Sequence, residues 1–309
     1  MSVSVRRALP LAVLGLGGLL LALAVAALAA DRGRTPAVAT APACSPPAPG
    51  NHPIDIQDGW PGVVLHVPPG TPPPGRRPLV VVLPGAGQTG EQIARATSYS
   101  RLADERGFLV AYPTASGARP FWNVSTTGAG RPDDVGYLRA VITVLTGPAG
   151  CGDPSRVGIT GVSNGGGMAA LMACRAADLL SAAAPVAGGY ATLPACAPSR
   201  PLPILEIHGL RDHVVPYDGT TGTHAGAVGP FVDQWRVRDA CPGLARRSTP
   251  APGVRELRWT CAAGRVIVHD RVLGADHGWP GGRSLLPFSS TVRTWRFLSA
   301  FRDDQQPRG

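Results

Sequence analysis

The chain has 309 residues, 44% of them hydrophobic, enough to bury the core of one large α/β domain or two small ones. Its 29 basic residues exceed the 20 acidic ones for a formal charge of +9; every basic residue is arginine, and the arginines are scattered along the chain. A nucleic-acid surface needs clustered basic residues with interleaved aromatics, so no nucleic-acid partner is expected.

In chain order, residues 1–7 are basic, residues 8–26 are apolar, and the small residues of ALAAD suit signal peptidase near Ala29 or Ala30. Residues 1–30 are therefore expected to be a signal peptide or, because the apolar run approaches bilayer-spanning length, an uncleaved membrane anchor. A membrane partner is expected only in the second case. Residues 31–53, rich in Pro and Ala, read as a tether to a folded domain at 54–303, with a polar tail at 304–309. Within that domain, residues 63–67 and 78–83 (PLVVVL) are β-branched runs bounded by Gly and Pro and read as strands, the second buried on both faces. Residues 91–105 carry helical spacing, 108–112 (FLVAY) form another buried strand, and Asp133 and Asp134 cap a helix running to about Leu145. A strand at 156–160 leads into Ser163, and the Ala- and Met-rich stretch 166–177 is the helix that follows. Strands at 182–186, 203–207 and 265–272 and helices near 228–238 and 285–301 complete the series. Alternating strand and helix without internal repeats implies a doubly wound, mostly parallel α/β sheet with helices on both faces in a single domain.

Six cysteines in an exported chain favour disulfides, and the absence of any C-x-x-C argues against zinc, so no metal is expected. Fifteen pairings are possible. Sequential pairing is preferred: Cys174–Cys196 and Cys241–Cys261, leaving Cys44–Cys151.

The stretch TGVSNGGGMAAL contains Gly161-Val162-Ser163-Asn164-Gly165 at the point where a buried strand turns into a small-residue helix. A serine on such a sharp turn needs glycine two positions either side, and the helix N-terminus favours developing negative charge. A hydroxyl becomes a nucleophile only when a base takes its proton, so an orienting acid and a histidine are sought downstream. Asp212 stands just past a strand end in ILEIHGLRDHVVPYDG, and His277 in the glycine-rich GADHGWPGG loop before the last helix. Both sit at carboxyl ends of strands, where open α/β sheets build their sites. Asp218 and Asp276 are rival acids, although Asp276 adjoins the base in sequence and would struggle to reach its far nitrogen. His208, beside a strand-end glycine, is expected to hydrogen-bond locally and shape the acid loop. A tetrahedral intermediate also needs backbone N–H donors; Asn164 and Ala86, the latter in LPGAGQ, are expected to supply them.

Together LPGAGQTGEQI, FWN, DDVGYLRAVI, GVSNGGGM, APVAG, IHGLRDHVVPYDG and HGWPGG resemble the secreted esterase family of poly(3-hydroxybutyrate) depolymerases, which overlaps the feruloyl and acetylxylan esterases. The resemblance implies an α/β-hydrolase fold and a carboxylic-ester hydrolase with Ser163, Asp212 and His277 as its triad, needing no cofactor. It departs at Pro84-Gly85, where the family carries His-Gly. Trp279 falls where the family sets an aromatic beside the catalytic histidine and is expected to wall the substrate pocket, with Trp122 as a second wall. The expected substrates are short hydroxyalkanoate or feruloyl and acetyl cell-wall esters, small, oligomeric or polymeric. A serine peptidase on the same fold and a non-catalytic surface binding protein are the alternatives.

Overall fold

The computed structural model describes residues 44, 47–70, 76–125, 131–191, 193–219, 228–282 and 287–303. The expected leader, most of the tether and the polar tail lie outside them. Ten strands form one sheet: β1 (Gly50–Ile54), β2 (Val63–Val67), β3 (Arg77–Leu83), β4 (Leu109–Pro113), β5 (Gly152–Val162), β6 (Ala182–Val186), β7 (Ile204–Gly209), β8 (Arg246–Ser248), β9 (Val254–Thr260) and β10 (Val266–Val272). Their order is β1-β2-β4-β3-β5-β6-β7-β10-β9-β8. The central six, β4 to β10 in that order, are parallel, and antiparallel pairs flank them on both edges.

Alternation along the strands divides the core between the two faces. Leu79, Val81, Ile159, Ile204 and Ile267 pack on one face with Leu138 and Val141 of α3 (Asp134–Thr146), Met168 and Met172 of α4 (Asn164–Arg175), and Phe231 and Trp235 of α5 (Val228–Arg238). Val80, Val82, Val110, Leu205 and Val268 pack on the other with Ile93 of α1 (Gly90–Thr97), Leu102 of α2 (Tyr99–Arg106) and Phe297 of α6 (Ser290–Leu298). This is the doubly wound α/β-hydrolase arrangement, with chain order reversing between β3 and β5. The carboxyl ends of strands at such a switch point form a natural crevice.

Four local expectations change. The helix expected at 91–105 is broken at Ser98, whose φ of 56° separates α1 from α2. The break turns Tyr99 fully inward, where its hydroxyl lies 2.5 Å from Thr294 Oγ1 on α6. Residues 50–53, expected in the tether, pair with β2 as an edge strand exposed on alternate residues. β9, whose sequence VRELRWT is rich in charge, and the short edge strand β8 were not expected as strands. The disulfides Cys174–Cys196 and Cys241–Cys261 are present, but Cys44 and Cys151 are neighbouring thiols rather than a bridge. Burial, then the Cys44 neighbour, pushes the Cys151 thiol up to about 12, which disfavours the thiolate that disulfide formation requires. Among the described residues no helix is long and apolar enough to cross a membrane.

Candidate active site

Ser163 joins β5 to α4 with φ 57° and ψ −122°, a conformation that persists only where its surroundings enforce it. They do so by close approach. A Cβ on Gly161 would lie 2.5 Å from the Gly165 carbonyl oxygen, and one on Gly165 would lie 2.4 Å from the carbonyl oxygens of both Leu83 and Pro84. Only glycine fits either position. The Ser163 N–H donates to the Val186 carbonyl at 3.0 Å, locking the elbow to β6. The first amides of α4 have no carbonyl partner within the helix and carry the positive end of its dipole.

The expected oxyanion donors lie on either side of this elbow. Gly85 packs against it: a Cβ there would stand 3.5 Å from Ser163 Cβ. The Gly85 N–H donates to Gln88 Oε1 at 3.1 Å and the Gly87 N–H to the Pro120 carbonyl at 2.7 Å. Ala86 lies exposed between them, and its amide makes no hydrogen bond among the described residues. Trp122 has a different place from the one expected. It is fully buried, so it cannot wall a pocket. Its Nε1–H donates to the Pro84 carbonyl at 3.0 Å; its backbone N–H donates to Asn164 Oδ1 at 2.7 Å, and its carbonyl accepts from Asn164 Nδ2 at 3.1 Å. Trp122 thus braces the 84–89 loop against the start of α4. The departure at Pro84 costs no amide that this brace needs, because the brace uses the proline's carbonyl.

Asp212 and His277 are brought together by the ends of β7 and β10. The Leu210 and Arg211 amides donate to the Val272 and Ala275 carbonyls, both at 3.0 Å, and a Cβ on Gly209 would come within 2.4 Å of the Ala275 carbonyl oxygen. His277 Nε2 lies 2.9 Å from Ser163 Oγ, and His277 Nδ1 lies 2.8 Å from Asp212 Oδ2. Asp212 Oδ1 accepts from the amides of Val214 at 2.9 Å and Val215 at 2.7 Å. Burial opposes ionisation of Asp212, but hydrogen bonds from His208, His277 and the Val215 amide hold its carboxyl well below the usual range. The rival Asp276 does not reach the ring: its Oδ1 accepts the His277 backbone N–H and contacts His213 Nδ1, both at 2.6 Å.

Trp279 is half-buried. Its Nε1–H donates to Thr291 Oγ1 at 2.9 Å, and its ring meets Tyr99 edge-on at 6.2 Å, so it anchors the His277 loop to α6. The Thr291 hydroxyl in turn donates to the Thr97 carbonyl at the end of α1. The sequence reading missed Glu206, His269, Tyr190 and Tyr217, which lie behind Asp212 with His208 in one buried polar cluster. The available signal was Glu206 and His208 at alternate positions of an otherwise apolar strand. Among the described residues no His, Cys, Asp or Glu cluster is arranged to hold a metal ion.

Ser163, His277 and Asp212 make one continuous hydrogen-bonded line from a strained elbow, the geometry of nucleophilic acyl transfer. Comparison with known proteins bears on the family. The Esterase PHB depolymerase family model matches residues 62–193. A putative esterase, NocK, of Nocardia uniformis subsp. tsuyamanensis is 34% identical over 249 residues, covering 71% of this chain and 70% of that protein. Feruloyl esterase B of Piromyces equi is 32% identical over 52% of this chain, but only 32% of its own length is spanned. Among solved structures, an acetyl xylan esterase from Aspergillus awamori superposes with TM-score 0.62 over 81% of this chain and 98% of its own; at 16% identity it speaks for the fold alone. With that fold, that elbow and these relatives, the chain belongs to the Esterase PHB depolymerase family of carboxylic-ester hydrolases.

Proposed function

We propose that the protein is an exported serine esterase that cleaves short acyl, hydroxyalkanoate or feruloyl and acetyl cell-wall esters through an acyl-enzyme. The observation that carries this reading is the Ser163 Oγ to His277 Nε2 to Asp212 Oδ2 line, at 2.9 and 2.8 Å. In the first half-reaction Ser163 Oγ attacks the ester carbonyl while its proton passes to His277 Nε2. Asp212 accepts from His277 Nδ1–H, fixing the tautomer that leaves Nε2 free to act as base, and stabilises the imidazolium once it forms. The amides of Asn164 and Ala86 donate to the oxyanion, and the helix dipole of α4 adds to their effect. His277 then gives the proton to the departing alkoxide. Water repeats the sequence on the acyl-enzyme and releases the acid.

Export is supported by the basic, apolar and small-residue order of residues 1–30 and by the two disulfides, since such bonds persist in oxidising compartments. A thiol count tests it: protein recovered outside the cell should keep Cys174–Cys196 and Cys241–Cys261 oxidised and show two free thiols, Cys44 and Cys151. For activity, purified protein should react with a fluorophosphonate probe at Ser163 and hydrolyse nitrophenyl acetate and butyrate, methyl ferulate, acetylated xylan or hydroxybutyrate oligomers. Failure to label would favour a binding protein, and turnover of peptide anilides with none of these esters would favour a peptidase.

A further inference from the structure

Behind Asp212 the hydrogen-bonded line continues into the core. β7 and β10 are parallel neighbours with Glu206 opposite His269 in the register, and Glu206, His208 and His269 all point to the same face of the sheet. His208 and Glu206 are completely buried, and His269 is 2% exposed. His208 Nδ1 lies 3.0 Å from Glu206 Oε1. Its Nε2 lies 3.0 Å from the Val215 carbonyl oxygen and 3.3 Å from Asp212 Oδ2. Both ring nitrogens therefore face acceptors only. A neutral imidazole would turn a lone pair on one of them, whereas a doubly protonated ring satisfies every contact. A buried charge needs partners, and here they are present: Glu206 Oε1 also accepts from Tyr190 Oη at 2.9 Å, and Glu206 Oε2 lies 2.7 Å from His269 Nδ1. His269 closes the chain through Nε2, 2.8 Å from Tyr217 Oη.

We propose that His208 is a positioning residue for the esterase reaction, a permanently charged imidazolium held between Glu206 and Asp212 that fixes the Asp212 carboxylate and offsets its charge. The proposal rests on the triad reading of Ser163, His277 and Asp212. Its consequence is electrostatic. The cation behind Asp212 weakens the pull of that carboxylate on the His277 proton. It also pins the Val215 carbonyl, whose own amide donates to Asp212 Oδ1. Burial works against a charge on His208, but hydrogen bonds to Asp212 and Glu206 push its pKa up to about 10. The charged and titratable groups around it are Glu206 on its own strand, His269 on β10, Asp212 and Tyr217 on the acid loop, Tyr190 beyond β6 and, across Asp212, His277. Arg271 on β10 acts on the same cluster through Tyr217.

The test is the pH profile of kcat/KM on nitrophenyl acetate. In His208→Gln the acid limb should move upward by about one pH unit. In Glu206→Gln it should move less, because loss of the anion lets His208 become neutral and the two changes offset each other. A lowered rate with the acid limb at its wild-type position in His208→Gln would mean a merely structural residue and would overturn the proposal. If that variant does not fold, 15N-histidine NMR on Ser163→Ala protein reads the charge directly. Both His208 nitrogens should remain protonated to pH 9, and one bare nitrogen at pH 7 to 8 would also overturn it. The NMR reading needs no turnover, so activity surviving in Ser163→Ala would sink the triad reading without touching the His208 result.

Discussion

The two halves of the site are held by different physics. The elbow around Ser163 is set by exclusion: glycines at 161 and 165 leave no room for even a methyl group, and the backbone has one conformation available. The half that carries Asp212 and His277 is set by satisfaction. There a buried carboxylate is fixed by two amides and two imidazoles, and one of those rings, His208, is in turn held by Glu206 and the Val215 carbonyl. A steric half tolerates changes of pH and salt but not of volume. A polar half tolerates small changes of volume but not the loss of a charge.

The largest effects should come from breaking the line where the halves meet. Ser163→Ala should fold normally and lose on the order of 10⁴-fold or more in kcat, and Asp212→Asn should lose a comparable factor by setting the wrong imidazole tautomer. Retention of more than a tenth of wild-type turnover by Ser163→Ala would show that the nucleophile lies elsewhere. Next comes the steric half alone: Gly165→Ala drives a methyl into two carbonyl oxygens and should cost about 1–3 kcal/mol of stability, with activity falling about 10²-fold at every pH. Thermal melts and a pH-independent rate loss check this. An activity loss that varied with pH would blur the division between the halves.

The polar half predicts a stability profile. The folded-state pKa of His208 is raised to about 10 from an ordinary 6.5, so its contribution is fully present below about pH 6.5 and is lost as pH rises through 10. Asp212 and Glu206 are depressed, by the hydrogen bonds that outweigh their burial, so their contribution is present above the ordinary carboxylate range and fades as pH falls below it. Melting temperature should therefore be highest between about pH 5 and 6.5, and the decline from 6.5 to 10 should flatten in His208→Gln. An unchanged alkaline slope in that variant would remove His208 from the account. The smallest effect is expected for Trp122→Phe, which keeps the buried ring but leaves the Pro84 carbonyl without its donor. About 1 kcal/mol should be lost, with kcat reduced more than KM is raised.

The same division explains what could be read in the sequence. Steric demands are written locally: G-x-S-x-G, apolar strands and capping residues such as Asp133, whose side chain accepts the Gly136 N–H, all lie within a few positions of what they control. Polar satisfaction is not local. Glu206 and His269 are 63 positions apart and meet only because β7 and β10 are neighbours in the sheet. Trp122 was misassigned for the same reason, since its loop suggests a surface whereas its partners, Pro84 and Asn164, are about 40 residues away on either side. The break at Ser98 left no trace in the helical periodicity of residues 91–105, and the contact it allows, Tyr99 with α6, is made by a residue 195 positions further on. β9 was hidden by its own arginines, which the sheet edge leaves partly in water.

The tie from Trp279 through Thr291 to Thr97 bears on when the enzyme comes into being. A ribosome makes the elbow and the acid loop before it makes His277, and it makes α6 later still. While α6 is unmade, the histidine loop has no Thr291 to dock on and Tyr99 has no Thr294 to meet. The nascent chain can thus carry a formed nucleophile turn well before it carries a fixed base. Competence to cut an ester arrives only once synthesis has passed the acid and histidine loops, with the docking of a single nine-residue helix.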